Sequence, residues 1–149
     1  MQQWALNECL RQLIKVYSFA EQQYIHSAVK SHAALLKVFF EQRAFERSLF
    51  IEEIEDSIAT VQGSVRTPKK LEDLYEWHRS LYGRNVLRNI LITDMESMII
   101  DEKGLEICRF LIMGEPPSHV LTLLKGQISK LESGILSMVY LKALYDGEE

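Results

Sequence analysis

At 149 residues, with 47% hydrophobic and 26% charged side chains, the chain has the composition of one folded domain and is too apolar to stay disordered. Its net charge of −4, from 17 basic and 21 acidic residues mixed along the sequence, supplies no positive field to collect phosphates and argues against nucleic acid as a partner. No apolar run approaches the roughly 20 residues that span a bilayer, and Met1 to Leu10 lacks the basic-then-apolar order of a signal peptide, so the expectation is no membrane association and a cytoplasmic location.

From Trp4 to Ala28 the residues Leu6, Leu10, Leu13, Tyr17, Ala20, Tyr24 and Ala28 recur at three- and four-residue steps, the signature of one helical stripe. The pattern breaks around Val29 to His32, where Ser31 offers an N-cap to a second helix. That helix is predicted from about His32 to Val61. Its expected buried side is Leu35, Val38, Phe39, Phe45 and Leu49, with Phe50, Ile54 and Ile58 further round. Glu52, Glu53, Glu55 and Asp56 give it an acidic run, read as a solvated face. Gln62 to Pro68, with Gly63 and Pro68, marks the longest connection.

A third segment, from about Lys70 to Met113, is too long for one ordinary helix, and Gly83 and Gly104 are its weak points, so a kink or break is expected. A competing reading pairs Met98-Ile99-Ile100 with Leu105-Glu106-Ile107-Cys108 as strands around Asp101 to Gly104. Against it, Leu91, Met95, Met98, Glu102, Leu105 and Ile112 keep helical spacing through the supposed turn. Gly114-Glu115-Pro116-Pro117-Ser118 then closes one helix and caps the next, whose stripe is Leu121, Leu124, Ile128, Leu131, Ile135 and Met138. Each helix is apolar on one side, so the expected fold is all-α: an antiparallel up-down four-helix bundle over 1–149, with one helical hairpin at 3–62, a connection at 63–69 and a second hairpin at 70–145.

Leu6-Asn7 opening the first helix, Glu21-x-x-Tyr24, Glu46-Arg47-x-x-Phe50, Trp77-His78-Arg79 and Glu115-Pro116-Pro117 together resemble a bacterial domain family of unknown function with a ferritin-like four-helix bundle. The resemblance runs through most of the chain and implies that fold. It implies no activity, because a fold alone does not define one.

A ferritin-like di-iron site takes a Glu from each of two helices and a Glu-x-x-His pair from each of the other two, since positions i and i+3 share a helix face. Here Glu21, Glu46, Glu96 (or Glu102) and Glu132 flank the apolar stripes, so one carboxylate is on offer per segment. The imidazoles are not: Glu46-x-x-Leu49 and Glu132-x-x-Ile135 carry aliphatic residues, and His26, His32, His78 and His119 fall near helix ends or loops. Two readings stand. Either the four Glu residues reach water or pair with Arg43, Arg47 or Lys130, and no cofactor is bound, or they form an all-carboxylate site for a divalent ion such as iron or manganese.

The sequence holds no nucleophile elbow, phosphate-binding loop or Cys/His metal spacing, and Cys9 and Cys108 read as small apolar thiols. Trp77, His78 and Arg79, with Tyr75 and Tyr82, form the most distinctive aromatic-polar cluster, either an anchor for a protein partner or packing at the bundle's end. Phe39, Phe40 and Phe45, and the consecutive Phe110, Leu111 and Ile112, make two segments apolar on more than one face, which predicts a homo-oligomer, specifically a dimer. The five Met and abundant aromatics leave an apolar ligand between helices as a third reading.

Overall fold

A computed structural model describes residues 3–61 and 94–145, with side chains from 6 to 58 and from 99 to 144. These residues form four helices, α1 (Gln3–Lys30), α2 (Ala34–Val61), α3 (Asp94–Met113) and α4 (Ser118–Tyr145). No strand occurs among the described residues, and α3 runs straight through Asp101 to Gly104, so the hairpin reading of that stretch fails. The expected connection at 63–69 and the cluster Trp77-His78-Arg79 lie outside the described residues.

The stripe of α1 is buried as its spacing requires: Leu6, Leu10, Leu13, Tyr17, Ala20, Tyr24 and Ala28 are all buried. It packs on α2 and α3, while α4 packs on α3 and, over a smaller area, on α2. The main core joins Leu10, Leu13 and Tyr17 of α1 to Phe50 and Ile54 of α2, Cys108 and Leu111 of α3, and Leu124 and Leu131 of α4. A second cluster gathers Tyr24, Ile25 and Ala28 with Phe40, Ala44 and Met138. Cutting any one of the buried leucines to Ala removes transfer energy and leaves a cavity, a loss of about 2–5 kcal/mol.

Two helix faces differ from their sequence reading. On α2, Leu35 and Val38 are exposed and Phe39, Phe45 and Leu49 only half-buried, whereas Phe40, Ala44, Arg47, Phe50 and Ile54 face inward. On α3, Glu102 is exposed and Asp101 takes the inward position with Leu105, Cys108 and Leu111. Apolar periodicity misplaces both faces for one reason: each helix puts a charged residue inside, and the two charges meet.

The joints are short. Ser31 does not cap α2; its hydroxyl donates to the Ala33 carbonyl at 3.4 Å while its N–H still bonds Ser27 O at 3.0 Å, finishing α1. The first α2 bond is Lys37 N–H to Ala33 O, 3.0 Å. After α3, the N–H groups of Gly114 and Glu115 bond back to Leu111 and Ile112, and Glu115 takes a left-handed φ of 52°. Pro116 and Pro117 follow, and Leu121 N–H to Pro117 O at 2.9 Å starts α4.

Gly104 is not a break. A Cβ there would stand 3.1 Å from Cε1 of the buried Tyr17, so the missing side chain is what lets α3 approach α1. Gly126 of α4 is exposed and has nothing within 4 Å of its would-be Cβ. Gly126→Ala should therefore gain helix propensity and stabilise by about 0.5–1 kcal/mol, whereas Gly104→Ala should destabilise because Tyr17 is fixed at its hydroxyl and cannot give way. Chemical denaturation of the two variants checks this; two shifts of the same sign would contradict it.

Candidate functional site

The inward charges of α2 and α3 form a buried ion pair. Arg47 is fully buried and donates from Nε to Asp101 Oδ1 at 2.9 Å and from Nη2 to Asp101 Oδ2 at 3.1 Å. Its remaining nitrogen, Nη1, donates to Glu46 Oε1 at 2.7 Å. The Tyr24 hydroxyl of α1 donates to Asp101 Oδ2 as well. Aromatic faces close over the cation: the guanidinium carbon lies 4.9 Å from the Phe50 ring centre and 5.8 Å from that of Tyr24. Burial by itself would lower the Arg47 pKa, but the Asp101 charge and its hydrogen bonds outweigh it and hold the guanidinium above its ordinary value. Burial pushes the Tyr24 hydroxyl well above its ordinary range, and the Asp101 charge pushes it further.

A second polar group lies deeper along α1. The Tyr17 hydroxyl donates to Gln127 Oε1 of α4 at 2.9 Å and lies 3.2 Å from Cys108 Sγ of α3, while Gln127 Nε2 donates to the Phe50 carbonyl of α2 at 3.3 Å. Burial drives the Tyr17 hydroxyl far above its ordinary value, with the neighbouring Cys108 adding to the effect. Burial also pushes the Cys108 thiol up to about 11, although the Tyr17 hydrogen bond and Arg47 pull it down. A thiol held neutral and shut from solvent is a core residue rather than a nucleophile. Further along α1, Gln23 is 1% exposed, with neither amide atom hydrogen-bonded among the described residues.

The carboxylates singled out from sequence do not share one place. Glu21 is buried in α1. Glu46 is half-buried on α2 and bound to Arg47 at 2.7 Å and Arg43 at 3.6 Å. Glu132 sits half-exposed on α4, 3.7 Å from Arg109 of α3. Glu96 belongs to α3, with its side chain outside the described residues, and Glu102 is exposed. Among the described residues no three His, Cys, Asp or Glu side chains come together as metal ligands would. His26 is buried in the last turns of α1, while His32 and His119 are exposed near helix starts.

What sequence reading missed is the Arg47–Asp101–Tyr24 group. Its only written signal is a charge at a core step on two helices, Arg47 between Ala44 and Phe50 and Asp101 four residues before Leu105.

Among the described residues a groove opens on each flank of α3. One, of about 680 Å³, runs between α3 and α4 over Leu105 and Ile135, with Phe110, Met113 and Leu136 as its walls. The other, of about 410 Å³, lies between α1 and α3 and has an apolar floor flanked by Lys15 and Lys103. Comparison with family models, with characterised proteins and with solved structures found no match for the chain.

Breaking the buried pair strands a charge. Asp101→Ala or Arg47→Ala should each cost about 3–5 kcal/mol, while the joint replacement Arg47→Met, Asp101→Leu, Tyr24→Phe should cost far less than either single change. Urea denaturation measures all three, and a triple variant less stable than both singles would refute the account.

The thiol supplies a pH dependence. Its folded value, about 11, lies above its ordinary 9.0, so the folded state keeps a proton that the unfolded chain gives up. That contribution is intact below pH 9 and is lost as pH rises towards 11, a fall of about 2 kcal/mol. Cys108→Ala should lose correspondingly less stability over the same range, as followed by denaturation at each pH.

Proposed function

We propose that this chain is an antiparallel, ferritin-like bundle that works by association, pairing with a second copy of itself in the cytoplasm. The observation that carries the reading is the second apolar side of α4. Residues 135–144 bury Met138 inward, yet Leu136, Val139, Tyr140 and Leu144 are exposed on the opposite side, and Lys142 is the only charge among the ten. A helix apolar on both sides needs cover on both. Next to it, α3 exposes Phe110 and Met113, the latter 82% accessible, across the groove from Leu136. Of the residues expected to form such a surface, Phe110 does, whereas Phe40 and Leu111 are interior.

A second copy suits this face in area and in charge. The exposed parts of these side chains amount to on the order of 800 Å², the share one partner contributes to a stable interface. Around the groove stand Glu102, Glu106 and Glu132 together with Arg109, so a rim that carries both signs can oppose unlike charges when a copy of itself is turned about a two-fold axis. The antiparallel order is supported by α2 meeting α4 in reverse sequence, Phe50 near Gln127 and Phe40 near Met138. Absence of a membrane-spanning helix among the described residues and two free cysteines accord with a reducing, aqueous compartment.

Light scattering at high micromolar concentration should give twice the chain mass, and Leu136→Glu with Met113→Glu should return it to a single chain with unchanged helical circular dichroism. A single-chain mass for the unmodified protein would reject the reading.

A further inference from the structure

The groove between α1 and α3 has a different chemistry from the one between α3 and α4. Val16 and Phe19 of α1 and Ile99 and Ile100 of α3 make its floor, Phe19 and Ile99 each being about half exposed. Its charged walls are both cationic, Lys15 from α1 and Lys103 from α3. Among the described residues neither lysine is held in a tight ion pair. Lys15 makes no ion pair among the described residues, and Lys103 reaches Glu106 only at 4.0 Å with both side chains more than half exposed. Gln12 at the groove's edge donates to Glu8 at 3.2 Å, so that carboxylate is engaged along its own helix.

Two exposed cations beside an apolar cleft give it a locally positive rim in a chain of net charge −4. They make the cleft unsuited to a second copy docking by the same face, since that would oppose lysine to lysine, at a cost in repulsion. They suit a ligand with apolar groups on a line and carboxylates beside them. A cleft walled by two helices takes a third helix through side chains at steps i, i+3 or i+4, and i+7.

We propose that the α1/α3 groove is a docking site for an acidic amphipathic helix of a partner protein. Its aliphatic side chains rest on Val16, Phe19, Ile99 and Ile100, and carboxylates flanking that stripe engage Lys15 on one wall and Lys103 on the other. Apolar burial supplies the affinity, while the lysines select the sign of the partner and hasten encounter at low salt. This site is separate from the self-association face, and the partner does not have to displace the second copy to reach it.

The test uses the full chain and a fluorescein-labelled helical peptide with leucines at i, i+3, i+7 and i+10 flanked by glutamates. A control peptide carries lysines in place of the glutamates. Fluorescence anisotropy should show saturable binding of the acidic peptide at least tenfold tighter than of the basic one, weakening as salt is raised. Lys15→Glu with Lys103→Glu should cut acidic-peptide binding at least tenfold and bring the basic peptide to the groove, with circular dichroism and light-scattering mass unchanged. The gain for the basic peptide keeps the result separate from simple unfolding. Equal binding of both peptides, or a charge-reversed variant that binds as the unmodified chain does, would overturn the proposal. So would phosphatidylglycerol vesicles that sediment the chain when the acidic peptide does not bind, since the lysines would then serve a lipid surface. A mass reduced to one chain by the lysine reversals would equally overturn it, by assigning the groove to the second copy.

Discussion

Among the described residues Arg47 is the one full positive charge placed out of reach of water, and the arrangement around it follows from that cost. An unpaired guanidinium in an interior of low polarisability is prohibitive, so its nitrogens must be met by acceptors held in fixed directions. Asp101 meets two of them and Glu46 a third, and the faces of Phe50 and Tyr24 cover the flat sides of the cation. Apolar contacts tolerate small slides of one helix along another because they have no direction. A forked pair between α2 and α3, joined by the Tyr24 hydroxyl of α1, is satisfied at one register and one rotation of the three.

The second polar group does for α4 what the first does for the other helices. Tyr17 reaches Gln127, and Gln127 in turn reaches the Phe50 carbonyl, so α1, α4 and α2 meet in one chain of hydrogen bonds with Cys108 of α3 beside it. Tyr17 can lie flat between helices because Gly104 leaves room for its ring edge. All four described helices are thus fixed by groups that bond only in particular directions, while leucine and isoleucine supply most of the apolar burial around them.

Inside, the Arg47 and Asp101 charges and the Tyr17 and Tyr24 hydroxyls are engaged with neighbouring side chains, while the grooves lie on the surface. The two grooves share α3 as a wall and differ in sign: mixed charge on the α4 side, cationic on the α1 side. The two proposals rest on that difference between the flanks of α3, a second copy on one side and an acidic helix on the other.

Helix α1 was legible residue by residue, because its seven stripe positions are all apolar or aromatic and all are buried. The helical character of the described residues, the short turn after α1 and the Gly-Glu-Pro-Pro joint were legible too, since periodicity and chain-breaking residues are local properties. The inward faces of α2 and α3 were not. Reading from hydrophobicity keeps charges outside, and so turned α2 towards Leu35 and Val38 and α3 towards Glu102. The carboxylates Glu46 and Glu132 looked alike on paper, each at the edge of a stripe, yet one supports the buried guanidinium and the other rims a groove. The sequence by itself determined that the described segments are helical, where α1, α3 and α4 end or are punctuated, and that each must hide one side, because those follow from neighbours along the chain. Only the tertiary structure decided that Arg47 lies inside, that Gly104 is a point of close approach and that α4 keeps a second apolar side uncovered, because each depends on what another helix brings opposite it.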